Sequence, residues 1–218
     1  MSGFEVYNSD GALTIDSTNK SIVTGGVKAM GTLTDQGYYT GFTCAFGNGG
    51  ALGSLNANII TNRNTTQYWF QIQTNGGWCF PGAGMFQPGI GRFMTSSQTG
   101  TISSGYLDVY NASGSLVWSA VSAATMPRIR DFFTVPAATD LSTAITVTTS
   151  FADPWFCWSQ CPGNLSDDGE TIGYSGIVIR RNSSTSFSLQ YVSKNQKTYR
   201  QAMGNNGFSI ALASFTGY

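Results

Sequence analysis

Short runs of alternating apolar and polar residues, separated by glycine and asparagine, fill most of this 218-residue chain. In the clearest run, Gln67–Gln73, the apolar residues Tyr68, Phe70 and Ile72 alternate with glutamines and with Trp69. A period of two predicts β-strands, and almost no stretch has the 3.6-residue period of an amphipathic helix. The pattern therefore predicts an all-β protein of the β-sandwich or jelly-roll type. Further strands are expected at 38–46, 55–61, 141–151, 177–179, 187–192 and 208–215.

One hairpin pattern, Val-Tyr-Asn-x-x-Gly-x-Leu, occurs twice, each time after an apolar and then an acidic residue. Asparagine and glycine tolerate positive φ angles, so each copy predicts a strand, a tight turn and a returning strand. The second copy follows the first by 103 residues, which indicates two related β units or one sandwich built around two equivalent hairpins. The shared positions are Val6, Tyr7, Asn8, Gly11 and Leu13, and then Val109, Tyr110, Asn111, Gly114 and Leu116.

Three segments interrupt the strand pattern. Segments 75–91 and 153–170 are expected to be long loops with a functional or interfacial role, and segment 123–140, which contains two prolines, is expected to be a connection. The pattern also breaks near residues 95–104.

The break near residues 95–104 is the best place to divide the chain, which is long enough for one large domain or two small ones. It would separate an N-terminal β unit at 1–100 from a C-terminal β-sandwich unit at 101–218. A single domain is the alternative.

The chain has no net charge, with 11 basic and 11 acidic residues. This balance gives no electrostatic reason to expect nucleic acid or an anionic membrane as a partner. No apolar run is long enough for a transmembrane helix, and the N-terminal sequence lacks the basic and apolar regions of a signal peptide. We therefore expect synthesis in a cytoplasm, without membrane insertion or export by the usual route.

The charges are segregated late in the chain. Segment 131–170 has six acids and no bases, and segment 171–218 has five bases and no acids. This arrangement favours local pairing within one fold, and the alternative is complementarity between subunits that assemble.

The residues that commonly carry catalysis or bind metals are scarce. The chain has no histidine, which excludes Ser-His-Asp and Cys-His catalysis and histidine-containing zinc sites. Each of the four cysteines, Cys44, Cys79, Cys157 and Cys161, has an aromatic neighbour within two positions, which favours buried free thiols. The alternatives are a disulfide formed after the protein is released from the cell and a four-thiolate zinc site. We expect no metal and no cofactor.

Aromatic residues in the two expected loops form the candidate contact surface. Rings on loops suit carbohydrate or protein recognition, because the C–H faces of sugars stack on rings while nearby amides bind hydroxyls. The alternative is that the rings cover the ends of the sandwich core. The residues are Trp78, Phe80, Trp155, Phe156 and Trp158.

The opening segment 2–17 resembles the start of small structural proteins from tailed bacteriophages, which share the pattern Gly-apolar-x-Val-Tyr-Asn-x-x-Gly-x-x-x-x-Asp. The second copy, at 105–119, matches the version of this hairpin that recurs inside such proteins. The matching residues in the first copy are Gly3, Phe4, Val6, Tyr7, Asn8, Gly11 and Asp16.

The resemblance implies a non-enzymatic virion protein of the tail tip, baseplate or fibre that serves tail assembly or host attachment. Its partners would be other copies of itself, other tail proteins, and a host surface glycan or protein receptor. The first alternative is a lectin-like carbohydrate-binding module that uses the loop aromatics. The second, less favoured, is a polysaccharide-degrading enzyme in which Asp153 faces Asp168 or Glu170, since paired carboxylates hydrolyse glycosidic bonds.

Overall fold

The computed structural model describes residues 4–11, 13–29, 66–83, 85–86, 89–167 and 170–216. Over these ranges the chain is an all-β protein in which two antiparallel sheets enclose one core, with two separate hairpins. Neither of the described α-helices has the length and hydropathy needed to cross a bilayer. The strands are β1 (Glu5–Tyr7), β2 (Leu13–Asp16), β3 (Val23–Thr24), β4 (Lys28–Ala29), β5 (Thr66–Ile72), β6 (Trp78–Phe80), β7 (Met85–Phe86), β8 (Gly91–Ser97), β9 (Asp108–Tyr110), β10 (Leu116–Ser119), β11 (Arg128–Val135), β12 (Ile145–Thr148), β13 (Trp155–Cys157), β14 (Gly163–Asp167), β15 (Ile172–Arg181), β16 (Ser186–Lys194) and β17 (Phe208–Ser214), and the helices are α1 (Ala120–Ala123), α2 (Tyr199–Met203) and 3₁₀ turns at Pro81–Ala83 and Trp158–Gln160.

Both sheets combine strands from the two halves of the chain. The seven-stranded sheet has the order β11-β17-β13-β5-β8-β3, with β4 also paired to β8. The six-stranded sheet has the order β12-β16-β15-β6-β7, with β14 also paired to β15. Because β5 pairs with β13 and β6 pairs with β15, a boundary near residues 95–104 does not divide the protein into separate sheets.

Aromatic and branched side chains fill the space between the sheets. Phe70 on β5 and Phe156 on β13 stack with their ring centroids 5.3 Å apart. Phe156 also meets Phe187 of the six-stranded sheet edge-on at 5.0 Å, so this ring joins the two layers. On β15, Ile177 and Ile179 alternate with outward residues and are fully buried. Removing these side chains from water is the main source of stability in such a sandwich.

Several segments in which apolar and polar residues alternate are strands in the structure, as predicted. β5, β12, β15, β16 and β17 lie where the sequence predicts strands. The predicted strands at 38–46 and 55–61 lie outside the described residues.

Three segments expected to lack regular structure contain strands. Segment 75–91 includes β6 and β7, segment 153–170 includes β13 and β14, and segment 123–140 includes β11. Pro127 and Pro136 stand directly outside the ends of β11, at positions where proline removes no ladder hydrogen bond. In β13 the three residues are all buried, so no alternation marks the strand.

Candidate functional site

The two copies of the hairpin pattern fold with the same strand register. In each hairpin the returning strand contains a β-bulge, and the residue at the bulge, Thr14 or Val117, has no paired residue on the first strand of its hairpin. Each pair in the second hairpin stands 103 residues after its counterpart in the first. The pairs are Glu5–Asp16, Val6–Ile15 and Tyr7–Leu13 in one hairpin, and Asp108–Ser119, Val109–Trp118 and Tyr110–Leu116 in the other.

The turns of the two hairpins are also equivalent. The carbonyls of Asn8 and Asn111 accept hydrogen bonds from the N–H groups of Gly11 and Gly114, each at 3.0 Å. These glycines have φ angles of +77° and +78°, in the left-handed region that costs glycine little. Each asparagine side chain also accepts from the N–H two residues on, at 3.0 and 3.1 Å. The repeated motif thus encodes one turn twice.

The rest of the protein covers the two hairpins unequally. In the second hairpin Val109 and Val117 are 7% and 4% exposed, and the Val117 carbonyl accepts a hydrogen bond from the Ser21 N–H at 2.8 Å. The counterparts in the first hairpin are Val6, which is half-buried, and Thr14, which is exposed. The first hairpin therefore has the same construction, and the described residues leave it much less covered.

Both hairpins present large side chains to solvent at matching positions. Tyr7 is 55% exposed and Tyr110 52%, and each hydroxyl group donates to the acid two residues earlier, at 2.6 Å in the first hairpin and 3.4 Å in the second. Phe4 and its counterpart Leu107 are 48% and 56% exposed. We call these four side chains the exposed hairpin residues.

The predicted aromatic contact residues lie mostly in the core. Phe80, Trp155, Phe156 and Trp158 are at most 3% exposed, and Trp78 is half-buried. The expectation that these rings form an exposed surface is corrected for the four buried ones, because their segments contribute strands to the two sheets. The alternative interpretation, rings that complete the core, describes the placement of Phe80, Phe156 and Trp158, whereas Trp155 is buried beneath the guanidinium group of Arg92.

A polar cleft of about 360 Å³ lies where the seven-stranded sheet approaches the end of β15, and we call it the arginine cleft. Alternation along β5 and β13 turns Gln71 and Trp155 to the face opposite Phe70 and Phe156, so the cleft is outside the core between the sheets. Its lining residues are Gln71, Gln73, Arg92, Ala152, Asp153, Trp155, Arg181, Ser214 and Phe215.

Arg181 at the end of β15 anchors one side of the arginine cleft and is 9% exposed. Its Nη1 donates to the Gln73 carbonyl at 2.5 Å and to Oδ1 of Asn75 at 2.8 Å. Its Nη2 forms an ion pair with the Asp153 carboxylate at 2.6 Å. This pair joins the acidic segment to the basic one, as local pairing within one fold requires. The charge of Asp153 is therefore already balanced.

Arg92 on β8 lines the other side of the arginine cleft. Its guanidinium group lies over the Trp155 ring, 5.1 Å from the ring centroid, and its Nε donates to the side-chain carbonyl of Gln71 at 2.9 Å. The Gln71 amide group donates in turn to the Asp153 backbone carbonyl at 2.6 Å. Within the described part of the chain Arg92 forms no ion pair. The cleft therefore holds one positive charge that no described acid balances.

Sequence reasoning identified only Trp155 and Asp153 among the cleft residues. Arg181 could have been noticed because it continues the alternating positions of Ile177 and Ile179, which places a charge on a buried strand face. Nothing local marks Arg92, since its partners come from strands far away along the chain.

Among the described residues, carboxylates do not form a facing pair in this cleft. Asp153 is paired with Arg181, and Asp168 lies outside the described residues. Glu170 is exposed and does not line the cleft. The described residues therefore supply one carboxylate there, where glycoside hydrolysis uses two.

The described cysteines are buried free thiols, as the sequence favours, and Cys44 lies outside the described residues. Burial raises the pKa of Cys157 to about 11 and raises the pKa values of Cys79 and Cys161 well above the ordinary value of a thiol. Such thiols are unreactive. Among the described residues no three acidic, cysteine or histidine side chains are grouped to hold a metal ion.

Four aspartates, one exposed and three half-buried, accept hydrogen bonds that favour their charged form. The Thr18 hydroxyl lowers the pKa of Asp16 most, followed by the Asn19 side chain. The Ser104 hydroxyl lowers the pKa of Asp108. The other two aspartates with a lowered pKa are Asp131, through the Ser150 side chain, and Asp140, through the Ser142 N–H.

The melting temperature is expected to be level between about pH 5 and 8 and to fall below about pH 4. These aspartates have folded pKa values below their unfolded values, so their stabilisation is complete above the unfolded pKa and is lost as the pH falls through the folded one. The chain has no histidine to titrate near neutrality. Calorimetry across this range checks the profile, and a step in melting temperature between about pH 6 and 7 would contradict it.

A comparison with protein families gives a match over almost the whole chain. The profile of a family described as "Domain of unknown function (DUF8377)" matches residues 1–217. The comparison with curated proteins gave no match, and neither did the comparison with solved structures.

Proposed function

This chain belongs to the DUF8377 family, and from its own residues we propose that it is a non-enzymatic structural protein of a bacteriophage tail. It would occupy the tail tip, baseplate or fibre and assemble with other copies of itself and with other tail proteins. One observation carries the proposal: the hairpin motif that resembles phage tail proteins occurs twice, with one register and matching exposed side chains.

The first hairpin is the proposed contact between copies. A two-stranded ribbon is marginally stable in water unless something packs against it. The second hairpin is covered by its own chain, whereas Val6 and Thr14 of the first are not buried. A second copy of the chain is the occupant that we propose for this face, because a repeated self-contact is what symmetric assembly requires.

The composition supports extensive subunit contacts. Only 10% of the residues are charged, and burying few charges keeps the desolvation cost of an interface low. The single paired carboxylate of the arginine cleft favours binding over hydrolysis as the role of that site. Attachment to a host surface would then use the cleft, while the hairpins serve assembly.

Native mass spectrometry of hairpin variants tests whether the first hairpin serves assembly. The intact chain is expected to form an oligomer, with a threefold or sixfold count implied by the resemblance to tail proteins. The double variant Phe4→Ser/Tyr7→Ser is expected to give a monomer, because it removes exposed apolar area from the first hairpin.

A matched control is Ile129→Ser/Phe132→Ser, which changes side chains that are 54% and 56% exposed on β11. It should leave the oligomer intact. If only this control dissociates the oligomer, assembly runs through the edge strand β11 and not through the hairpins. A chain that stays monomeric at the highest soluble concentration would also contradict self-assembly through the first hairpin.

A further inference from the structure

We propose that the arginine cleft binds the carboxylate of an acidic sugar, with Arg92 as the pairing residue. The inference rests on the geometry of the cleft and not on the assignment to a phage tail. The guanidinium group of Arg92 packs on the Trp155 ring and its Nε donates to Gln71, and among the described residues its two terminal nitrogens have no hydrogen-bond partner. A guanidinium held in this way offers a planar fork that matches a carboxylate.

The neighbouring charges leave this position open to an anion. Arg181 pairs with Asp153, so the charge of the one described acid that lines the cleft is balanced and its repulsion of a ligand carboxylate is reduced. The Asp153 backbone is fixed as well, since its carbonyl accepts from Gln71 and its N–H donates to the Ser184 carbonyl at 2.8 Å. Arg181 is therefore a positioning residue, and Arg92 supplies the attraction.

The rest of the lining favours a sugar over other carboxylates. The amide group of Gln73 and the hydroxyl group of Ser214 can donate to and accept from sugar hydroxyls, while Phe215 offers a small apolar contact. A volume of about 360 Å³ lies near the lower end for ligand sites, which suits one ring and not an extended chain. An acidic peptide would need a longer groove with more than one unpaired positive charge.

The first experiment compares glucuronate with glucose by NMR titration of the full chain, because the two sugars differ only in a carboxylate and a hydroxymethyl group. Glucuronate is expected to bind about tenfold more tightly, as a charge-assisted hydrogen bond provides, and its affinity should fall as salt is added. Equal affinities, or no binding of either sugar, would overturn the proposal. Tighter binding of a short glutamate peptide would overturn it in favour of a protein ligand.

The second experiment uses the variant Arg92→Met, which keeps an unbranched stem about as long as the aliphatic part of arginine and removes the charged guanidinium group. The glucuronate affinity is expected to fall about tenfold, to the level of glucose. The control is Arg130→Met, since Arg130 also lies over an aromatic ring, 5.4 Å from the centroid of Phe151, but does not line the cleft. An equal loss of affinity in both variants would count against a specific role for Arg92.

A third comparison needs no variant and covers the case in which Arg92→Met does not fold. Glucuronamide replaces the carboxylate with a neutral amide of the same shape, and it should bind about tenfold less tightly than glucuronate. Equal binding of the acid and the amide would refute the charge pairing. These titrations are independent of the oligomer measurement, so failure of one proposal can be told from failure of the other.

Discussion

Phe156→Ala is expected to lower the free energy of unfolding by about 3–5 kcal/mol. Phe156 is fully buried on β13, stacks on Phe70 at 5.3 Å and meets Phe187 of the opposite sheet at 5.0 Å. Its removal leaves a cavity between two sheets that can relax only in part. Urea unfolding followed by tryptophan fluorescence measures the change.

Phe132→Ala is the matched control, since Phe132 is 56% exposed on β11 of the same sheet. Its cost should be about 0.5 kcal/mol or less. If Phe156→Ala costs as little as this control, the ring is not a core residue and the interpretation of segment 153–170 as a contact loop regains support. By the same reasoning Trp155→Ala/Trp158→Ala should unfold the protein and not simply remove binding.

Gly176→Ala is the second substitution with a large expected effect, at about 3 kcal/mol or more. Gly176 on β15 has a φ of +149°, which only glycine adopts readily, and an added Cβ would lie 2.6 Å from the Gly163 Cα and 2.7 Å from the Pro162 carbonyl oxygen. Backbone strain and a backbone clash therefore act together. Chemical denaturation compares the variant with the parent chain.

Gly114→Ala separates these two causes. Gly114 in the second hairpin also has a positive φ, but an added Cβ would meet nothing within 4 Å. Its cost should be about 1–2 kcal/mol, from backbone strain alone. Equal costs at the two glycines would mean that β14 does not approach β15 as closely as the structure has it.

The hairpins could be predicted from the sequence because all their determinants are local. Asn8 and Gly11 fix the first turn, Asn111 and Gly114 fix the second, and the spacing to each leucine sets the register. The all-β class could be predicted for the same reason, since apolar and polar residues alternate with a period of two within strands such as β5 and β16.

The pairing of distant strands could not be predicted. Phe156 lies beside Phe70 because β13 inserts between β17 and β5, and no local pattern encodes that neighbour. The arginine cleft depends on the same pairings, which bring Arg92, Trp155 and Arg181 together from three distant strands. The sequence alone could not assign the aromatic residues of segments 75–91 and 153–170, because large rings suit both a binding surface and a core.

The most direct test of the tail assignment uses the particles that are released when cells carrying this gene lyse. The particles would be purified, and the chain would be quantified in them by mass spectrometry and located by antibody labelling in the electron microscope. We expect a fixed number of copies per particle, with the label confined to the tail. Recovery of the chain only from the soluble fraction, with intact particles that lack it, would contradict a structural role in the virion.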